Sequence, residues 1–187
     1  REDHGITSEN IKGAKSIAGM KLYTIEEMLN RPPPSFLIDG LLPEIGVAVL
    51  AGQSGHMKTS LAVSLACSVA TGMNIGNRIT KQKSVLFMLN EGQSGIGSRV
   101  KAWMEHSNCQ ILDAFYVMEV TPDLMQSGNV EKYIDFIEKE KACPGLIVID
   151  TFSKATVNGD DNSANDMTKA FVNAYRIANK FGALVVL

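Results

Sequence analysis

Cysteine is scarce in this chain, and the three that occur, Cys67, Cys109 and Cys143, stand far apart with no Cys-x-x-Cys pair. That pattern excludes a disulfide-stapled scaffold and a thiolate zinc site, and it sets the expectation of reduced thiols in a cytoplasmic protein. Histidine is equally sparse: His4, His56 and His106 have no partner at ligand spacing, so zinc is not expected. Long apolar runs are missing too. The longest, residues 61–70, is broken by Ser64 and Ser68 and falls short of a bilayer span, so no membrane partner is expected. Charge of one sign is not in excess, since 18 basic residues face 20 acidic ones and the net charge is −2. This excludes an overall positive field, and any DNA-binding surface must be local or made by assembly.

What is present fits one globular domain. The 187 residues, 45% of them hydrophobic, suffice for a sizeable core. Residues 1–21 are polar and punctuated by Gly5, Gly13 and Gly19, and read as a flexible N-terminal arm. Residues 22–45 read as a lead-in: a short helix capped by Thr24, with Glu27 completing a capping box, is stopped by Arg31-Pro32-Pro33-Pro34 and followed by an apolar patch. That patch is expected to pack beneath the loop that comes next. Residues 46–187 form the core. The chain opens on Arg1 and stops at Leu187 inside an apolar run, so it is expected to be a fragment, incomplete at its C-terminus.

The organising stretch is VAVLAGQSGHMKTSLAVSLACSVAT, residues 47–71, which reads as strand, tight loop and helix. A loop that wraps a polyphosphate needs small residues so that backbone N–H groups can turn inward. It also needs a lysine for the β/γ oxygens and a hydroxyl for Mg²⁺. Gly52, Ser54 and Gly55 meet the first need, Lys58 and Thr59 the others, and the helix that follows aims its positive end at the anion. Gly52, Gln53, Ser54, Gly55, His56, Met57, Lys58, Thr59 and Ser60 are therefore the candidate ATP contacts. The pattern Gly-x-x-x-x-Gly-Lys-Thr departs at one place, where Met57 replaces glycine and brings a Cβ and a thioether to a position where backbone normally nears phosphate. The bland alternative is a glycine-rich turn before a core helix, with Lys58 simply solvated.

Further strands are expected at 84–89, 114–120, 146–149 and 183–187, and helices at 94–107, 128–141 and 164–181, the last capped by Asn162 or Ser163. This alternation demands parallel pairing with right-handed crossovers, so the fold class is α/β, a mostly parallel sheet with helices on both faces. Two strands deliver acids at the edge where ligands bind in such sheets. Asp150 ends one and is the natural partner of Mg²⁺ together with Thr59. Glu91 follows the other, and is either the group that polarises an attacking water or a strand-terminal acid in a solvated turn. Gly92-Gln93-Ser94-Gly95-Ile96-Gly97 lacks dinucleotide spacing and reads as a flexible lead into the helix that carries Arg99. Residues 157–166 are either a switch loop, with Asp160 and Asp161 facing the metal, or a capped start to the last helix.

Taken together, Phe36-Leu37-Ile38-Asp39-Gly40-Leu41-Leu42-Pro43, the phosphate loop, Asn90-Glu91-Gly92 with Arg99, and Ile149-Asp150-Thr151-Phe152 with Asp160-Asp161-Asn162-Ser163 resemble the RecA-like P-loop NTPases. Within them they are similar to the RepA-like branch of hexameric replicative helicases of plasmids, phages and mobile elements. The resemblance covers roughly residues 34–187. It implies that Lys58 and Thr59 bind phosphate and Mg²⁺, that Asp150 assists the metal, that Glu91 is the catalytic base, and that Arg99 is an auxiliary phosphate or glutamate partner. It also implies that the fifth strand lies between the strands ending in Asp150 and Ala51. A homo-hexameric ring acting on single-stranded DNA is implied as well, with the sensor, the DNA loops and an arginine finger beyond Leu187. The alternative is a nucleotide-binding regulatory or scaffold protein whose ATPase is weak or lost because of Met57.

Overall fold

The computed structural model describes residues 22–53, 55–110, 114–157, 159 and 163–187. The arm expected over residues 1–21 lies outside them, as do Ser54, Asp160, Asp161 and Asn162. The chain divides into two compact units, Arg1–Pro34 and Ser35–Leu187.

In the first unit, α1 (Ile25–Leu29) forms where the sequence places it. Thr24 and Glu27 close the capping box, the Glu27 amide donating to Thr24 Oγ1 at 3.1 Å and the Thr24 amide to Glu27 Oε2 at 2.8 Å. The Arg31 guanidinium lies over the Tyr23 ring.

The second unit is built on a five-stranded parallel sheet. Its strands are β3 (Gly46–Ala48), β4 (Val85–Leu89), β5 (Phe115–Met118), β6 (Leu146–Asp150) and β7 (Leu184–Val186), in the order β3-β7-β6-β4-β5. The last strand thus inserts between the first and the one ending in Asp150, the order implied by the resemblance. Strands β4 and β6 are apolar without alternation because both of their faces are covered. Val85, Phe87, Leu89, Leu146 and Val148 pack towards α2 (Lys58–Thr71) and α3 (Gln93–Ser107), whereas Leu86, Met88, Ile147 and Ile149 pack towards α4 (Ser127–Lys139) and α6 (Ala164–Phe181). Phe87 is fully buried and stacks on Phe115; truncating it to alanine should cost about 3–5 kcal/mol.

Helix α6 has the predicted bounds because both of its ends are chemically marked. The Ser163 hydroxyl accepts from the Asp166 amide, and Gly182 takes the left-handed conformation at the other end. Its buried stripe, Ala170, Ala174, Ile177 and Ala178, has helical spacing.

Two features differ from expectation. The apolar patch after the prolines forms a small antiparallel pair, β1 (Phe36–Ile38) and β2 (Leu42–Pro43). Its hydrogen bonds go to residues 78–81, with Lys81 N–H donating to Leu37 and Asp39 N–H to Ile79. That segment follows the C-terminus of α2, about 20 Å along the helix from the phosphate loop. The second is an unexpected single-turn helix, α5 (Phe152–Ala155), directly after β6. No helix among the described residues is long and apolar enough to cross a membrane.

Candidate functional site

The site follows from the two-residue period of the strands. Leu146 and Val148 face α2, so Asp150, two residues further, emerges on the same face. There its Oδ2 accepts a hydrogen bond from Thr59 Oγ1 at 2.7 Å, joining residues 91 apart in sequence. On β4 the facing residues are Val85, Phe87 and Leu89, and Leu89 is the register partner of Asp150. Two residues beyond Leu89, Glu91 lines the same cleft. The cleft has a volume of about 510 Å³ and gathers Gly52, Lys58, Glu91, Asp150 and Lys154, with Leu50, Ile149 and Phe152 as apolar wall.

Lys58 opens α2 and bends back over the loop, its ammonium donating to the carbonyls of Gly52 at 2.7 Å and Gln53 at 3.0 Å. Gln53 also accepts from the His56 amide. Gly55 has φ +80°, a left-handed turn that a glycine adopts freely. Met57 has φ +57° and ψ +21° at the N-cap, which costs a non-glycine residue about 1–2 kcal/mol. Its side chain is 72% exposed, and Lys58 is seated beside it all the same. Met57 supplies no side-chain cap, so the first-turn amides of α2 are left for solvent or an anion. Ser60 sits half-buried in that first turn.

The remaining expected positions divide. Arg99 is exposed on α3 with its guanidinium folded over Gly95, and it is not among the residues lining the cleft. Ser54, Asp160 and Asp161 lie outside the described residues. Asn90 turns away from the cleft and clamps the segment after β5: its carboxamide donates to Thr121 Oγ1 and accepts from the Thr121 amide, while Tyr133 holds the Thr121 carbonyl. This network fixes the backbone on which Glu91 stands.

Sequence reasoning missed Lys154. Carried by α5, its ammonium pairs with Glu91 Oε1 at 2.9 Å. The one available signal was its position a helical turn beyond a strand-terminal acid. Behind the site, burial pushes the Cys67 thiol up to about 12, so α2 offers no thiolate.

The donor set suits a nucleoside triphosphate with Mg²⁺. A hydroxyl and a carboxylate already in contact are the hard oxygen ligands that ion prefers, and a lysine resting on loop carbonyls has charge to offer a phosphate. A protein-family model described as an AAA domain matches residues 21–187. No curated protein matches the chain. With most of its length covered, the chain belongs to this AAA-domain family and carries a P-loop ATPase domain.

Proposed function

We propose that this ATPase domain is a RecA-like motor of the RepA-like helicase branch, acting in the cytoplasm as a ring, a homo-hexamer, on single-stranded DNA engaged through segments outside residues 1–187. The observation that supports the hydrolytic part is that Asp150, which accepts a hydrogen bond from Thr59, lines one cleft with Lys58 and with Glu91 of the adjacent strand end. Lys58 and the loop amides bind and orient the triphosphate, and Lys58 stabilises charge as it develops on the γ-phosphate. Thr59 and Asp150 would hold Mg²⁺, which supplies charge neutralisation to the phosphates when bound. Glu91 orients the attacking water and accepts its proton.

Calorimetry with ATP and Mg²⁺, followed by hydrolysis assays, tests this reading. Lys58→Ala should lose ATP binding. Glu91→Gln should retain it while hydrolysis falls by about 10²–10⁴-fold. Unchanged turnover in Glu91→Gln removes Glu91 from the mechanism. A second reading, a nucleotide-binding regulatory or scaffold protein with weak ATPase, is favoured by the left-handed Met57 in the loop.

A further inference from the structure

We infer that Lys154 is a positioning residue for Glu91, holding one carboxylate oxygen so that the other is presented to the water. The inference rests on the hydrolytic reading of the cleft. Lys154 Nζ binds Glu91 Oε1 at 2.9 Å. Among the described residues Oε2 has no protein partner, which leaves it for a proton. A base whose other end is fixed by a third group is the arrangement that activates water or a hydroxyl in many hydrolytic sites.

The anchor under Lys154 is built rather than incidental. It stands one residue before Ala155, which is fully buried and whose carbonyl accepts from the Leu124 amide at 2.7 Å. Two residues earlier, Phe152 stacks on Phe171 of α6. The lysine therefore rises from a backbone pinned on both sides. The opposite partner is pinned as well, because Asn90 is held by Thr121 immediately before Glu91. Both side chains of the pair remain about half-exposed, at 45% and 61%. Such a pair contributes little to stability, so fixing both of its backbones matters mainly for where the carboxylate points. Lys58 does not hold Glu91: its ammonium donates instead to the carbonyls of Gly52 and Gln53.

The test is single-turnover ATP hydrolysis by the whole chain, with ATP affinity and melting temperature measured alongside. Lys154→Ala should slow the chemical step by up to about 100-fold, the scale of a misplaced catalytic group. ATP affinity should stay within about three-fold and melting temperature within about 2 °C, as loss of an exposed ion pair allows. Lys154→Arg should recover most of the rate. In a Glu91→Gln background Lys154→Ala should add almost nothing, because the two act as one unit. Wild-type rates in Lys154→Ala overturn the inference and leave the ATPase reading standing. An undiminished loss in the Glu91→Gln background also overturns it, by showing that Lys154 acts on phosphate directly. Absence of hydrolysis by the wild-type chain with binding intact overturns the hydrolytic reading and this inference with it, and favours the regulatory reading.

Discussion

At the scale of single residues, Met57 decides how the phosphate loop should be judged. Its left-handed backbone is strained for a residue with a Cβ, yet the loop closes around Lys58 and the side chain stands largely in solvent. Met57→Gly removes strain of about 1–2 kcal/mol but adds back about 0.5–1 kcal/mol of unfolded-chain entropy. Stability should therefore rise by no more than about 1.5 kcal/mol, read from the urea midpoint, and turnover should change by less than about three-fold if the loop has adapted. A large gain in turnover would instead favour the regulatory reading. The placement of Lys58, Thr59 and Asp150 was legible in the sequence because each comes with local punctuation: a glycine-rich loop before a helix, an acid at the end of an apolar strand. Lys154 carries no such punctuation. Its partner is 63 positions upstream by numbering, and only the fold brings the two together.

Among elements, legibility followed length and end chemistry. Strands β4 and β6 stand out as unbroken apolar runs, and α6 has a serine at one end and a glycine at the other. Helix α5 has four residues, too few to show a period, and the β1–β2 pair has strands of three and two residues. That pair is held by an ion cluster no local pattern announces. Glu44 accepts from Lys81 and Ser35 at 2.6 Å each, and Lys83 lies 3.2 Å away. Hydrogen bonds from Lys81, then Ser35, then Lys83 lower its carboxyl from 4.5 to about 2. Between those values the unfolded chain binds more protons than the folded one. This contribution is complete above about pH 4.5 and is lost as pH falls towards 2. Glu44→Gln should lower the urea midpoint at neutral pH, and the difference from wild type should shrink by about pH 3. A difference that stays constant with pH would show that the carboxylate's charge contributes nothing.

For the whole molecule, the distribution of cations in the cleft bears on assembly. Phosphoryl transfer builds charge on the γ-phosphate, and many such enzymes meet it with an arginine. Among the described residues the cleft is lined by two cations, Lys58 and Lys154, and by no arginine. Lys154 is engaged with Glu91, and Arg99 lies over Gly95 away from the cleft. If the chain assembles as the proposed ring and a neighbouring copy supplies an arginine, the chemistry of one site depends on the surface of the next. Turnover per chain should then rise with protein concentration, in step with the larger species seen by sedimentation velocity, while ATP affinity changes far less. Dilution should reverse the gain. A monomer that turns over ATP at the same rate per chain across that whole range has a complete site of its own, and the shared-site ring would then have to be given up.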